Sequence, residues 1–399
     1  MGGCCARHPA PTVVSRRQEI LLNGKRDVGP EPPHALFPRG VRVDRIAQGR
    51  CPIAALPDEL LVDVFSRVAD GGALLDTLPL LCKRWRRLCR DSKAWRDVEV
   101  RFEARYEHGV PVVTSEPTVA ARIVLHAPSL RSLDLEGPDR AVLLALRRSK
   151  AVVRRLCVKT AFWKAGDDGL CPEVLDVLWR SRHCARRVQL WLDDERAQRD
   201  SQGRPALDIL GDLEHLEELR LEVAERLPYT AGKLAAGMQR LREVFVSHVR
   251  FTDAYSSDRF APPEALVEDL LRGAAASLRS ASLYWNEPLG EAQRAALQQC
   301  AALESLMAHQ AVLPALRHWP RLHTLNVQLY PAGVEQVGGC VRDALRQCEP
   351  HAPLRHVTLG VNCYIDDDMW EESSDECQGH VEAFGKLRPE VKVELDGWY

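Results

Sequence analysis

The chain has 399 residues, of which 45% are hydrophobic and 28% are charged, and its formal net charge is -2. These values are typical of a globular protein, and the near-neutral charge argues against a general binder of nucleic acid or of anionic membrane surfaces. No apolar run approaches the ~18 residues that a membrane-spanning helix needs. The length predicts two or three domains, or one small domain followed by an extended repeat array.

The N-terminal part has little globular character. Residues 1–50 are rich in proline and basic residues, and we expect them to form a disordered or loosely ordered tail. The opening MGGCC resembles an acylation signal, with Gly2 as the myristoylation site and Cys4 and Cys5 as palmitoylation sites. We favour an unmodified tail, because Ala6 stands where the usual pattern has Ser or Thr.

The cysteines indicate a reducing compartment. They are scattered, and no C-x-x-C pair occurs among them, so a zinc or redox site is not predicted. Reduced thiols and the absence of an apolar secretory core at the N-terminus favour a cytoplasmic or nuclear location.

Regular structure is predicted to begin with LPDELLVDVFSRVADGG at residues 56–72. Pro57 suits a first helical turn, and we expect Gly71 and Gly72 to end the helix. One apolar face of this helix comprises Leu60, Leu61, Val64, Phe65 and Val68. A second apolar piece follows, in which Pro79 prevents one uninterrupted helix.

The next segment, LCKRWRRLCRDSKAW at residues 81–95, interleaves cations with tryptophans. Such a pattern favours either nucleic-acid binding or an amphipathic helix with a buried ring. On a helix, one stripe would comprise Leu81, Cys82, Trp85, Leu88 and Cys89. Because stacking platforms need exposed rings, we favour a buried Trp85 and expect no nucleic-acid partner.

Residues 56–95 resemble an F-box. The resemblance is carried by Leu56-Pro57, Glu59-Leu60, Phe65, Leu75, Leu78, Cys82-Lys83-Arg84-Trp85, Leu88, Asp91 and Trp95. Two departures are Pro79 within the second helix and Ala94, where a large apolar residue usually precedes the last Trp.

The resemblance implies an F-box at residues 52–100 that docks on the Skp-family adaptor of cullin–RING ubiquitin ligases. The residues expected to pack on or support that interface are Leu56, Pro57, Leu60, Leu61, Val64, Phe65, Leu78, Cys82, Trp85 and Trp95. The basic face of residues 83–90 is expected to be solvated and to steer the domain toward an acidic adaptor.

The remainder contains recurring runs of the form L-x-x-L-x-L. They begin at Leu130, Val153, Ala185, Leu216, Leu241, Leu278, Leu303, Leu322 and Leu354. Helical patterns lie between them, for instance at residues 195–200, 262–277, 290–300 and 333–348. This alternation is typical of leucine-rich repeats, in which Asn286 and Asn362 would complete the motif.

The predicted fold class is therefore α/β, with a small helical F-box followed by a leucine-rich-repeat solenoid, a horseshoe of strand–helix units, at residues 120–399. A strand at residues 391–395 is expected to close the array. Separate α/β domains with parallel sheets also fit the alternation, but they fit the many short leucine runs less well.

Alternate side chains of each repeat strand should point away from the core. Large apolar groups at these open positions are Trp191, Phe245, Tyr284 and Met307. We predict that they form the binding patch for a target protein, since exposed apolar surface often marks a partner site. The alternative is that loops or the C-terminal segment cover them.

The sequence carries no recognisable catalytic motif or cofactor loop, so we expect a non-catalytic protein without cofactor or metal. The acidic cluster at residues 366–376 lacks the spacing of a calcium loop and is predicted to be a solvated surface loop. The function implied by the resemblance is a substrate-recognition subunit of a Skp/cullin/F-box (SCF-type) ubiquitin ligase. The alternative is a leucine-rich-repeat scaffold that binds the adaptor without directing ubiquitination.

Overall fold

A computed structural model describes residues 52–107, 110–113, 117–136, 140–159, 172–192, 199–223, 230, 232–248, 264–284, 287–331, 336–362 and 367–398. The chain divides into two units, Met1–Leu56 and Pro57–Tyr399. In the first unit, residues Pro52–Ala55 form a 3-10 helix. The predicted N-terminal tail, the acylation sites and Asn286 lie outside the described residues.

The second unit begins with short helices. They are α1 (Asp58–Val68), a π-helical turn (Ala73–Thr77), α2 (Leu78–Leu81), α3 (Lys83–Leu88) and a 3-10 helix (Ser92–Trp95). Helix α1 ends earlier than predicted, because Ala69 adopts a left-handed conformation with φ 52° and terminates the helix before Gly71 and Gly72.

The single stripe predicted from Leu81 to Cys89 is wrong at its start. Cys82 has an extended backbone, so that α2 and α3 are separate helices. The Cys82 Sγ accepts a hydrogen bond from the Trp85 amide at 3.4 Å and caps α3. A cap satisfies one of the amide groups that the first turn of a helix leaves without a partner.

A twelve-stranded sheet follows, and it begins well before residue 120. Its strands are β1 (Glu99–Glu107), β2 (Val110–Val113), β3 (Ser129–Glu136), β4 (Val152–Lys159), β5 (Arg187–Leu192), β6 (Glu218–Val223), β7 (Glu243–His248), β8 (Ser280–Tyr284), β9 (Ser305–His309), β10 (Thr324–Leu329), β11 (His356–Asn362) and β12 (Lys392–Trp398). The spatial order from one end is β12 through β3 in sequence, then β1 and β2. All neighbouring strands are parallel except the antiparallel pair β1–β2.

Each predicted leucine run overlaps a strand, in most cases after its first two residues, and the final strand predicted at residues 391–395 is confirmed as β12. The strands pair so that equivalent apolar residues are neighbours. At one height of the sheet the paired residues are Leu133, Leu156, Val188, Leu219, Val244, Ala281, Leu306, Leu325, Val357 and Val393. Those from Leu133 to Val357 are buried, and a fully buried Leu or Val contributes about 1.5–3 kcal/mol to stability.

Helices connect most of the parallel strands. They are α4 (Pro117–His126), α5 (Arg140–Arg148), α6 (Pro172–Arg180), α7 (Ala206–Gly211), α8 (Lys233–Gly237), α9 (Glu264–Ala274), α10 (Glu291–Gln298), α11 (Val337–Cys348) and α12 (Asp367–Leu387), with a 3-10 helix at Gln310–His318. Consecutive helices contact one another, so the unit consists of a stack of strands beside a stack of helices. This α/β arrangement of strand–helix units in one open sheet is consistent with a solenoid.

Glycines permit the closest helix contacts. A Cβ atom on Gly237 of α8 would lie 2.0 Å from the carbonyl oxygen of Gly211 in α7, and one on Gly273 of α9 would lie 2.4 Å from that of Ala235. The backbones of α7, α8 and α9 therefore touch directly, and larger residues do not fit at Gly237 or Gly273.

Two local predictions are wrong. The acidic residues from Asp367 onward begin the helix α12 rather than a surface loop, and its side chains Cys377 and Phe384 are buried. The second wrong prediction is the helix expected at residues 195–200, of which residues 199 and 200 are described and are not helical. Arg199 pairs with Pro205 in a β-bridge, and the Asp200 carboxylate accepts hydrogen bonds from the amides of Gln202 and Arg204.

We predict that Gly237→Ala lowers the free energy of unfolding by at least about 2 kcal/mol, because the added methyl group collides with backbone rather than with a movable side chain. The matched control is Gly379→Ala, since Gly379 is an exposed residue of α12 with no atom within 4 Å of the added Cβ. This control should raise stability by about 1 kcal/mol through helix propensity. Urea denaturation measures both, and equal effects of the two substitutions would contradict the assigned contact.

Candidate functional site

Helix α1 has two apolar sides. Leu61 and Phe65 are 0% and 2% exposed, whereas Leu60, Val64 and Val68 are 52%, 47% and 46% exposed. The exposed residues are spaced by four positions, so they form one stripe along the helix. The sequence therefore supplies more apolar side chains than the folding of α1 against its own chain buries.

A second exposed apolar group lies at the end of α2. Leu80 is 75% and Leu81 is 59% exposed, and Cys82 is also exposed. Leu78 and Trp85 are half-buried. The extended backbone at Cys82 ends α2 immediately after Leu81, so Leu81 does not join the buried residues of α3.

The interior of these helices is held by aromatic residues. The Trp95 ring is buried, and its Nε1 donates a hydrogen bond to the Cys89 carbonyl oxygen at 2.7 Å. Phe65 meets the edge of Trp85 with ring centroids 5.0 Å apart, a favourable aromatic geometry. Trp95 thus supports the domain from within, while Trp85 lies between interior and surface.

The sequence predicts that the cations of α3 are solvated, but two of them form ion pairs within the domain. Asp58 at the start of α1 pairs with Arg84 at 2.7 Å and also with Arg87. Asp63 likewise pairs with Arg96, and the hydrogen bond from Arg96 holds the pKa of the Asp63 carboxyl below its usual range. These pairs orient α1 relative to the segments that follow it.

An open cleft of about 550 Å³ adjoins the exposed end of α2. Its walls are Leu74, Leu75, Pro79, Leu80, Arg86, Cys89, Arg90, Trp95, His126 and Pro128. The lining combines apolar side chains with cations, and it includes His126, the last residue of α4, and Pro128, which precedes β3. The cleft and the exposed apolar residues of α1 and α2 are each suited to an apolar partner.

An F-box-like family model matches residues 53–101. The chain therefore carries an F-box-like domain, a type of module that is generally a non-catalytic adaptor. No curated protein matches the chain. The match covers the α1–α3 helices and the first residues of β1, the region that bears the exposed apolar surface.

Within this domain, the residues predicted for adaptor binding occupy three environments. Those at the surface are Pro57, Leu60, Val64 and Cys82, those in the interior are Leu61, Phe65 and Trp95, and those between are Leu78 and Trp85. Leu56 belongs to the other unit, where its amide donates a hydrogen bond to the Ile53 carbonyl oxygen at 3.2 Å. The prediction omitted Val68, Leu80 and Leu81, although the run LPLL contains more leucines than one side of a short helix can bury.

The open face of the sheet holds the other predicted set. Trp191, Phe245, Tyr284 and Met307 are all half-buried, on β5, β7, β8 and β9. Ser247 pairs with Tyr284 and Ser282 pairs with Met307, so Phe245, Tyr284 and Met307 are diagonal neighbours. Trp191 stands apart, with β6 and β7 between it and Tyr284.

Burial shifts the pKa values of two titratable side chains on this face. Burial raises the pKa of the Tyr284 hydroxyl, and the negative charge of Asp396 adds to the effect. Burial lowers the pKa of His309, whose ring stacks on Tyr330 with centroids 5.1 Å apart.

Within the described ranges, no three His, Cys, Asp or Glu side chains group as a metal site, and no helix is long and apolar enough to cross a membrane.

We predict that a thiol-specific alkylating reagent at pH 8 modifies Cys82 and leaves Cys89 intact. Burial raises the pKa of Cys89 to about 11, so only about one molecule in a thousand carries the reactive thiolate at pH 8. Cys82, by contrast, is exposed. Mass spectrometry of peptides separates the two sites, Cys89 should become reactive as the pH approaches its pKa, and both should react in urea. Equal native rates at pH 8 would contradict the assigned burial.

Proposed function

We propose that this protein is the substrate-recognition subunit of an SCF-type ubiquitin ligase. The observation that carries the proposal is the set of exposed apolar side chains Leu60, Val64, Val68, Leu80 and Leu81, which lie inside the F-box-like domain. Apolar anchors on short helices are suited to the groove of a partner protein. The partner in this proposal is a Skp-family adaptor, and through it a cullin–RING complex.

In the same proposal, the strand–helix units are leucine-rich repeats that hold the target protein. The register of their apolar residues and the stacking of consecutive helices support this assignment. No catalytic group is required of the chain, because the receptor acts by proximity. Holding the target raises the effective concentration of its lysines near the ubiquitin-conjugating enzyme.

The proposal places the protein in the cytoplasm or nucleus. The described cysteines from Cys82 to Cys377 are all free thiols, which suits a reducing compartment. Acylation at Gly2, Cys4 or Cys5 would change this location, and mass measurement of the N-terminal peptide from cells tests it.

The second candidate is a scaffold that binds the adaptor without directing ubiquitination. The same exposed surface favours it equally, so the two functions differ only in what happens to the bound target. Comparison of protein half-lives between cells with the wild type and cells with a variant lacking residues 52–100 separates them. Only a ligase receptor should leave a captured protein longer-lived when that segment is absent.

We predict that Leu60→Lys combined with Val64→Lys abolishes co-purification of the adaptor and the cullin. Buried charges would replace two apolar anchors, and we expect the affinity to fall by about a hundredfold or more. Both side chains are exposed in the free protein, so the variant should keep the melting temperature of the wild type within a few degrees.

The matched control is Leu144→Lys on α5, where the leucine is 46% exposed and lies outside the F-box-like domain. This control should retain the adaptor. Alkylation of Cys82 provides a second measurement, since adaptor binding should slow it in the wild type. Retention of the adaptor by the double variant would refute the proposed docking surface, as would its loss from the control.

We predict that alanine substitution at Phe245, Tyr284 and Met307 removes partners other than the adaptor and cullin. The three side chains are diagonal neighbours on the open face, and each offers apolar area to a target. Trp191→Ala, two strands away, tests how far the patch extends. Quantitative pull-down from cells provides the measurement, and an unchanged set of partners would rule out this patch.

A further inference from the structure

Two adjacent strands carry paired arginines near their N-terminal ends, which the sequence patterns do not single out. Strand β4 carries Arg155 at a position directly opposite Arg187 of β5. Arg154 and Arg186 precede them, and the Arg186 amide donates a hydrogen bond to the Arg154 carbonyl oxygen at 2.8 Å. Because successive side chains of a strand point to opposite faces, Arg155 and Arg187 share the open face on strands about 4.8 Å apart, and Arg154 and Arg186 lie beside them at the edge of the sheet.

Such an arrangement is unfavourable for the isolated protein. Like charges directly opposite each other on neighbouring strands destabilise a sheet. On one side, carboxylates offset the repulsion, because Arg186 pairs with Glu217 at 3.1 Å and Arg187 pairs with Glu218 at 3.2 Å.

The arginines of β4 have no such compensation. Arg154 and Arg155 are exposed, and neither forms an ion pair within the part of the chain that the structure describes. The neighbour of Arg155 on β3 is Ser132, whose hydroxyl donates to Asp134 at 2.8 Å. On the far side, Arg131 is already paired with Glu99 at 3.4 Å.

The positive charge continues along the same edge of the sheet. Main-chain hydrogen bonds link the residues before successive strands, from Arg186 to Glu217, Arg242, Arg279, Glu304, His323 and Arg355. Among these seven residues arginines outnumber glutamates by four to two, whereas Glu218 and Glu243 stand at the next position on β6 and β7. Cations stabilise helix C-termini, but Arg154 and Arg155 are the third and fourth residues of β4, so a helix terminus does not account for them.

We propose that Arg155 and Arg187 on the open face, with Arg154 and Arg186 at the edge beside them, bind an acidic, carboxylate-bearing segment of a partner polypeptide. Guanidinium groups bind carboxylates through paired charge-assisted hydrogen bonds. An extended segment that crosses the strands would place alternate carboxylates about 7 Å apart, a spacing that side chains as long as arginine can reach. The proposal rests on the proposed function only in treating this partner as a target.

The test uses the full chain and a fluorescent peptide that alternates glutamate with serine. Fluorescence anisotropy at low salt should detect binding, and replacement of every glutamate by glutamine should abolish it. The variant Arg154→Gln with Arg155→Gln should bind about tenfold more weakly and with a smaller dependence on salt. The control Arg294→Gln with Lys386→Gln removes the same charge from exposed positions on α10 and α12 and should change the affinity less than twofold.

Several results would overturn the proposal. Equal affinity in the arginine variant and the wild type is one, equal weakening in the control is another, and a preference for single-stranded RNA over the peptide at the same salt is a third. The melting temperature provides a separate criterion. Relief of repulsion should leave it unchanged or raise it in the arginine variant, whereas a fall would assign these residues to the fold. Adaptor co-purification should persist in this variant, so a failure here is distinct from a failure of the proposed function.

Discussion

The repeated burial of aliphatic side chains at the same height of neighbouring strands is the interaction on which the parallel sheet depends. Leu219 of β6 is paired with Val188 on one side and Val244 on the other, and all three are buried. A shift by one residue would turn such a ladder to the open face, so the register is strongly fixed. The same register places Arg155 opposite Arg187, and thereby determines the surface chemistry as well as the core.

The F-box-like helices obey a different balance. They are too few to bury all of their apolar residues. The buried side chains include Leu61, Phe65 and Trp95, whereas Leu60 and Val64 are exposed. Small domains bury a low fraction of their surface, and a partner can complete what they lack. The two surfaces of the protein therefore differ in character, since the helices expose only part of an apolar core, whereas the open face of the sheet combines apolar side chains with charged ones.

The sequence was sufficient for the strands of the leucine runs, because an alternating apolar pattern reports directly on a sheet with one buried side. Strand β1 was not predicted, because the F-box expected at residues 52–100 extends into it. Its residues Val98, Val100 and Phe102 nevertheless show the same alternation. The helix after Asp367 was obscured by acidic and serine residues typical of turns. The outward face of α1 depends on packing against the Ser92–Trp95 helix, and the exposure of Leu81 depends on the break at Cys82, and neither can be derived from spacing alone.

The F-box-like helices and the sheet share one continuous interior. Trp95 and Val98 are buried in succession, Ser129 donates a hydrogen bond to the Ser92 carbonyl oxygen at 2.8 Å, and the Arg131 amide donates to that of Val98. This junction places the F-box-like helices at the β1–β3 end of the sheet, so the strand number of a site sets its distance from those helices. Each strand adds about 4.8 Å, so a ligand on β4 and one on β11 would be about 34 Å apart when the distance is followed along the sheet. The choice of strand at which a target binds would then determine how far its reactive groups lie from the helices at the other end.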